Sequence, residues 1–246
     1  MRLLAHRGAS ADAPENTLEA FQEAVRQGAD GIELDVMTCG SGEPVVCHDE
    51  RLDRLAGLDW EVRWTSWERL RRADVGTRLG FAPARIPLLD EVLALVPRGD
   101  FRVNVELKCE RLEDDGLSLL AAERVRFHGL EDQVVFSSFN PLCLLRLAGR
   151  WPRLRRGFLV DPERAVGLQE KVLAPLCANF AVHPNAATVT PGKVAAWHAR
   201  GWEVAAWTVD DAAEAARLRG AGVDVCITNR PAALRAELST AVPPRR

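Results

Sequence analysis

Short apolar or β-branched segments alternate with longer segments of helical period along nearly the whole chain. This alternation is typical of repeated βα units around a parallel sheet. Eight segments have the composition of strands, and they are residues 3–6, 31–36, 103–108, 134–138, 156–160, 179–182, 203–209 and 223–227. No Gly-rich dinucleotide-binding turn follows the first strand. The pattern therefore predicts an α/β protein with a (β/α)8 (TIM) barrel rather than an open doubly wound sheet.

One stretch departs from this alternation. Residues 44–48 follow the second strand after a short Gly-rich turn, which predicts an extra hairpin strand. Residues 49–87 contain three tryptophans among many charges, and we expect them to form a small insertion over the top of the barrel, without a core of its own. Residues 241–246 have the composition of a loose tail. The length suits one barrel, so we expect a single domain over residues 1–246.

Charge and composition exclude several functions. The 32 basic and 35 acidic residues give a net charge of −3, and the chain lacks the clustered cationic footprint of a nucleic-acid-binding protein. Its apolar stretches are too short for a signal peptide or a transmembrane segment, which predicts a cytoplasmic protein that acts on a small molecule. The six cysteines have no CxxC spacing and are expected to be free thiols. Oligomeric state is left open.

Polar residues recur at every second position of two predicted strands. Glu33 and Asp35 share one face of the second strand, and Glu106 and Lys108 share one face of the third. A single such pair suggests a salt bridge or a solvent-exposed strand end. Carboxylates converging within about 4 Å would repel one another by roughly 4 kcal/mol at an effective dielectric near 20. Two pairs together therefore predict a divalent cation site with Glu33, Asp35 and Glu106 as ligands, and oxygen ligands suit Mg²⁺, Ca²⁺ or Mn²⁺ better than Zn²⁺.

Two cationic residues stand beside these carboxylates. Lys108 is one of only three lysines and occupies an inward strand position, where it could bind phosphate as a point charge or pair with Glu106. Arg7 precedes Gly8 at the end of the first strand, and its guanidinium could bind a phosphate through two parallel hydrogen bonds.

Two histidines end predicted strands. His6 ends the first strand and His48 ends the hairpin strand. Either alone would be interpreted as a structural histidine, but together beside the carboxylates they form a plausible general acid and base pair. Trp207 and Phe139 end later strands, where they are either packing residues or walls of a substrate pocket.

These residues lie in motifs that resemble the glycerophosphodiester phosphodiesterase family. The motifs span residues 3 to about 235 and occur in the family's order. They are Ala5-His6-Arg7-Gly8, Pro14-Glu15-Asn16-Thr17, Glu33-Leu34-Asp35-Val36, Val45-Val46-Cys47-His48-Asp49, Ile86-Pro87 with Glu91-Val92-Leu93, Asn104-Val105-Glu106-Leu107-Lys108, Ser138-Phe139 and Trp207-Thr208-Val209.

The resemblance implies a (β/α)8 barrel and the metal-dependent hydrolysis of a glycerophosphodiester to glycerol 3-phosphate and an alcohol. By residue matching, Glu33, Asp35 and Glu106 would hold the cation. His6 and His48 would be the general acid and base. Arg7 and Lys108 would hold the phosphate, and Trp207 would contact the substrate.

The chain also departs from the family pattern at the end of the barrel. Asp210 stands where asparagine commonly follows Trp-Thr-Val, and Asn229-Arg230 replaces an aspartate-containing turn. These departures are expected to affect substrate preference and not to touch the catalytic set. Two alternatives remain open: a lysophospholipase D-like enzyme acting on lipids, and a non-catalytic binding barrel.

Overall fold

The computed structural model describes residues 1–109 and 116–240 and contains the predicted alternation of strands and helices. The expected tail at residues 241–246 lies outside the described residues. The strands are β1 (Arg2–His6), β2 (Gly31–Thr38), β3 (Pro44–Val46), β4 (Arg102–Leu107), β5 (Val134–Ser138), β6 (Arg155–Val160), β7 (Ala181–Pro184), β8 (Glu203–Ala206) and β9 (Val225–Thr228). Each predicted strand therefore has a counterpart, with ends shifted by up to three residues.

The sheet closes on itself. Parallel pairing runs from β2 through β4 and each later strand to β9, and β1 pairs with both β9 and β2. Strand β3 lies outside this ring and pairs antiparallel with β2, with Val36 opposite Val46. The structure thus confirms the (β/α)8 barrel and its additional hairpin strand.

Helices surround the barrel and follow most of its strands. They are α1 (Leu18–Arg26), α2 (Asp53–Ala56), α3 (Trp67–Leu70), α4 (Leu89–Leu95), α5 (Leu117–Phe127), α6 (Pro141–Arg150), α7 (Val166–Leu168), α8 (Ala174–Cys177), α9 (Pro191–His198), α10 (Ala212–Gly220) and α11 (Pro231–Thr240). Single 3₁₀ turns occupy Val62–Trp64, Thr77–Leu79 and Ala186–Thr188, and a π-helical turn occupies Gln169–Leu173. None of the helices in the described part of the chain is long and apolar enough to cross a membrane.

The main core lies between the barrel and its helices. Alternate residues of β2, namely Ile32, Leu34 and Val36, point outward and are buried against this helical layer. The intervening residues, Glu33 and Asp35, consequently point into the barrel. The packing of one strand face thus fixes the direction of the polar face.

The expectation that the insertion lacks a core of its own is wrong, because its apolar residues belong to a second buried cluster. Its apolar residues are too widely spaced to show a period, but they meet buried residues from β2, β3 and the chain following each of them. The members of this second cluster are Met37, Cys39, Val45, Cys47, Leu52, Leu55, Val62, Leu70, Ala73, Val75, Ala84 and Ile86. The insertion is therefore anchored to β2, which carries Asp35, and to β3, which precedes His48.

The expectation of six free thiols is wrong for two cysteines. Cys109 follows β4 and Cys143 lies in α6, and the two form a disulfide with Cα atoms 6.4 Å apart. The two cysteines are 34 residues apart in the sequence, so no local pattern indicates their contact. They meet because β4 and β5 are neighbours in the barrel. We expect four thiols to react with Ellman's reagent in unfolded, unreduced protein and six after reduction. Six before reduction would contradict this pairing.

Candidate active site

Three carboxylates converge inside the barrel at the carboxyl end of its strands. Glu33 and Asp35 belong to β2, and Glu106 lies beside Asp35 on the neighbouring strand β4. Glu33 is 3% exposed and Asp35 is 1% exposed. One oxygen from each of the three side chains lies within 4.8 Å of the others. Strand period thus brings together the residues that the sequence analysis singled out.

The three carboxylates have unequal proton affinities. Burial and the nearby charges of Asp35 and Glu106 raise the pKa of Glu33 well above its ordinary value. Burial and the charge of Asp35 also raise the pKa of Glu106, to about 7, although Lys108 opposes that rise. Burial is the strongest single influence on Asp35 as well, but Arg7, His48, Lys108 and the Asn16 hydrogen bond together outweigh it and leave the pKa of Asp35 below the usual value.

The different behaviour of Asp35 has a geometric cause. Arg7 Nε lies 3.2 Å from Asp35 Oδ2, and Asn16 Nδ2 donates to the same oxygen at 2.9 Å. Thr17, and not Asn16, caps α1, because its side chain accepts from Ala20 N. Asn16 is thereby available to bind Asp35.

This donor set fits a divalent cation. Two of the three carboxylates resist ionisation when only protein surrounds them, since like charges are held together in a buried space. A cation among them would remove that repulsion, and its ligands would all be oxygens, as Mg²⁺, Ca²⁺ and Mn²⁺ prefer. The acidic cluster could therefore hold a metal ion.

Metal-free protein is expected to lose stability through Glu106 as pH rises. The pKa of this side chain is about 7 in the folded protein and 4.5 without the shift, so between these values the folded state binds more protons than the unfolded state. As pH rises above 4.5, Glu106 ionises more readily in the unfolded state than in the folded state, which favours unfolding. This loss of stability levels off once the pH is above the folded-state pKa of about 7. In chelator, the free energy of unfolding of Glu106→Gln relative to wild type should grow by on the order of 3 kcal/mol between pH 4 and pH 8. Denaturant unfolding of both proteins measures this, and a pH-independent difference would contradict it.

The two histidines flank the carboxylates and have different partners. His6 Nε2 lies 3.9 Å from Glu33 Oε2, whereas His6 Nδ1 is 2.8 Å from Asn229 Oδ1. Burial, followed by the charge of Arg7, lowers the pKa of His6. His48 Nδ1 instead lies 2.7 Å from Asp49 Oδ1. One imidazole thus faces an amide and the other a carboxylate.

A sharp turn after His6 directs Arg7 toward the carboxylates. Both Arg7 and Gly8 have positive φ, at 55° and 83°. A Cβ atom at Gly8 would lie 2.6 Å from the Ala20 backbone, so only glycine allows α1 to pack this closely. Arg7 N donates to Glu33 Oε2 at 2.9 Å, and its guanidinium donates to Glu15 at 2.8 Å.

A cavity of about 200 Å³ opens over this cluster. Lys108 lines it, with Nζ 3.3 Å from Glu106 Oε1, so the pairing considered for this lysine does occur at the cavity wall. Trp207 and Phe139 also line it, with ring centroids 5.8 Å apart in an edge-to-face arrangement. The full set of lining residues is His6, Arg7, Glu33, His48, Asn104, Glu106, Lys108, Phe139, Leu159, Trp207, Thr208 and Ile227.

The sequence analysis missed several residues that support this site. Asn229 binds His6 directly and Asp210 binds Asn229, so the expectation that these departures from the family pattern do not touch the catalytic set is wrong. Asp49 accepts from Arg54 at 2.7 Å as well as contacting His48, and these partners lower its pKa despite its burial. The sequence signal for Glu15, Asn16 and Asp49 was their place in the motifs Pro14-Glu15-Asn16-Thr17 and Val45-Val46-Cys47-His48-Asp49.

Comparison with known proteins places this geometry in a family. A sequence profile of the glycerophosphoryl diester phosphodiesterase family matches residues 6–233. A glycerophosphodiester phosphodiesterase of Caldanaerobacter subterraneus subsp. tengcongensis is 35% identical over 235 residues, which cover 94% of this chain and 95% of that protein. One from Bacillus altitudinis is 33% identical with the same coverage.

Solved structures agree with these matches. A phosphodiesterase of Oleispira antarctica, in complex with the product sn-glycerol-3-phosphate, has a TM-score of 0.87 and 31% identity. The alignment covers 98% of this chain and 97% of that one. A glycerophosphodiester phosphodiesterase of Agrobacterium tumefaciens has a TM-score of 0.81 and 28% identity, with 96% and 99% of the two chains covered.

Proposed function

The chain belongs to the glycerophosphoryl diester phosphodiesterase family, and from that premise we propose that its single domain hydrolyses glycerophosphodiesters to glycerol 3-phosphate and an alcohol. One observation carries the proposal. Two carboxylates, two imidazoles and two cationic side chains line one cavity at the carboxyl end of the barrel strands. The third carboxylate, Asp35, has an oxygen within 4.8 Å of the other two. The carboxyl end of the strands is where barrel enzymes place their active sites.

We assign the carboxylates Glu33, Asp35 and Glu106 to the binding of a divalent cation, with Mg²⁺, Ca²⁺ and Mn²⁺ as candidates. A bound cation would supply Lewis-acid stabilisation of the charge that develops on the phosphoryl oxygens. Glu33 and Glu106 would then be ionised, although burial raises the pKa of each in the metal-free protein.

The remaining residues bind substrate and move protons. Arg7 and Lys108, which both line the cavity, neutralise the phosphate, and Trp207 packs against the substrate. Hydrolysis breaks one phosphorus–oxygen bond and adds the elements of water. His6 and His48 divide the two proton transfers, one accepting the proton of the attacking hydroxyl group and the other protonating the leaving alkoxide.

A substrate panel tests this function. Purified protein is incubated with glycerophosphocholine, glycerophosphoethanolamine and lysophosphatidylcholine, with each cation in turn. Glycerol 3-phosphate released from the glycerophosphodiesters is measured with a coupled dehydrogenase, and choline released from lysophosphatidylcholine is measured with choline oxidase. We expect release from the glycerophosphodiesters. Hydrolysis confined to the lysophospholipid would replace the proposal with the lipid-directed alternative. If no phosphodiester is hydrolysed with any of the cations, the non-catalytic binding barrel is the remaining hypothesis.

A further inference from the structure

The two ring nitrogens of His6 have different surroundings. Nε2 points toward the carboxylates, and Nδ1 points toward Asn229, which follows β9. His6 Nδ1 lies 2.8 Å from Asn229 Oδ1, while Nε2 is on the carboxylate side, 3.9 Å from Glu33 Oε2. A neutral imidazole carries one hydrogen, on one nitrogen or the other. The chemical identity of the group that faces Nδ1 therefore decides what Nε2 presents to the cavity.

The orientation of the Asn229 amide is determined by Asp210. Asn229 Nδ2 lies 2.5 Å from Asp210 Oδ2, and a carboxylate can only accept hydrogen bonds, so this edge of the amide must be its NH₂ group. The other oxygen, Asp210 Oδ1, accepts from the Asn229 backbone N–H at 2.7 Å and from Thr228 Oγ1 at 2.9 Å. Three donors thus hold the Asp210 carboxylate in place.

The amide oxygen of Asn229 must then face His6. A carbonyl oxygen has two lone pairs and only accepts, so His6 Nδ1 has to carry the hydrogen. The Ser10 hydroxyl lies 2.8 Å from both Asn229 Oδ1 and the His6 carbonyl oxygen, and it donates its hydrogen to either. This hydrogen-bond network therefore allows only one tautomer of neutral His6, the one with its hydrogen on Nδ1.

We propose that Asp210 and Asn229 are positioning residues that hold His6 as the Nδ1–H tautomer, with the Nε2 lone pair turned toward the carboxylate cluster. The inference rests on the proposed function for its catalytic meaning. In this tautomer the neutral ring offers a proton acceptor to the cavity, which is the state required for His6 to take up a proton. Asp210 acts only through Asn229, and Asn229 only through His6.

A purely structural role for the same network makes a different prediction. Ala11 N donates to the Asn229 carbonyl oxygen at 3.0 Å, and Val209 N donates to the Ile227 carbonyl oxygen at 2.9 Å. These backbone hydrogen bonds already connect β9 and its following residue with the segments that follow β1 and β8. If Asp210 and Asn229 served only that purpose, their substitution would lower stability without changing the His6 tautomer. The measurement that separates the two roles is therefore which nitrogen of the His6 ring carries the hydrogen.

The tautomer is measurable in the full-length protein by NMR. Histidine ¹⁵N labelling gives ring signals for five histidines, and His6→Ala identifies those of His6 by difference. At a pH where the ring is neutral, we expect its hydrogen on Nδ1 in wild type. Asn229→Leu, which is close in volume but has no acceptor, should shift the population toward Nε2–H. Wild-type His6 with its hydrogen on Nε2 would overturn the proposal.

Kinetics of matched variants give the second readout. Asn229→Leu should lower kcat about tenfold or more with little change in KM, since it alters the proton acceptor and not the substrate contacts. Ser10→Ala is the control, because it removes the hydroxyl group beside the same amide oxygen and leaves the hydrogen bond between that oxygen and His6 intact. Unchanged kcat and tautomer in folded Asn229→Leu would contradict the positioning role.

An exchange of the two side chains tests the coupling and does not depend on Asn229→Leu folding. Asn229→Asp alone places two carboxylates against each other and is expected to lower kcat, whereas adding Asp210→Asn restores the donors and acceptors in reversed order. The double variant should recover activity and the Nδ1–H tautomer; failure to recover either in a folded protein contradicts the proposal. Wild type inactive toward every phosphodiester but with Nδ1–H in its spectrum would refute the proposed function alone.

Discussion

Excess chelator is expected to abolish the release of glycerol 3-phosphate, and an added divalent cation should restore it. The reason is the convergence of three carboxylates within 4.8 Å, where burial and mutual repulsion raise the pKa of Glu33 and Glu106 unless a cation compensates their charge. The measurement is the initial rate of hydrolysis after dialysis against chelator, followed by titration with Mg²⁺, Mn²⁺ or Ca²⁺. Undiminished activity in chelator would refute the metal assignment.

Carboxylate variants separate loss of the cation from loss of the fold. Glu33→Gln, Asp35→Asn and Glu106→Gln should each lower kcat/KM by about a hundredfold or more, because metal-assisted stabilisation amounts to several kcal/mol. The matched control is Glu203→Gln, which changes an inward carboxylate at the opposite end of the barrel, where it pairs with Arg102 at 3.2 Å. Equal losses in the control and the site variants would indicate a general effect on folding.

Each histidine substitution at the site should lower turnover at least about a hundredfold, the usual scale of general acid and base catalysis. The variants are His6→Ala and His48→Ala, and kcat is measured with the cation saturating. His198→Ala is the control, since this half-exposed residue pairs with Asp224 away from the cavity. A near-normal rate in either site variant would show that histidine to be structural.

The same variants distinguish the two proton transfers. A substrate with a nitrophenolate leaving group needs little protonation, so the variant that lacks the general acid should lose much less activity on it than on glycerophosphocholine. The variant that lacks the general base should lose similar activity on both substrates. If the tautomer proposed for His6 is correct and His6 is the base, His48→Ala will be the variant that the nitrophenyl substrate rescues.

Strand period was the most productive sequence signal because it is a local property of the backbone. It placed Glu33 with Asp35, and Glu106 with Lys108, on faces that the barrel does turn inward. It also predicted the ring of parallel strands, since each strand and its following helix can be identified without knowledge of the rest. The hairpin strand β3 was predictable for the same reason.

Contacts between distant segments required the closed barrel. His6 and Asn229 are 223 residues apart and meet only because β1 pairs with β9. Cys109 meets Cys143, and the insertion acquires a core, through neighbours that no sequence period identifies.

The sequence by itself therefore determined the fold class and the inward carboxylates, because alternation along a strand depends only on the backbone. Tertiary structure decided how those groups differ. Burial acts on all three carboxylates, but the cationic neighbours of Asp35 and the Asn16 hydrogen bond leave its pKa lowered, whereas those of Glu33 and Glu106 are raised. Proton affinity depends on which charges and dipoles surround a group in space, and those neighbours are fixed only when the barrel closes.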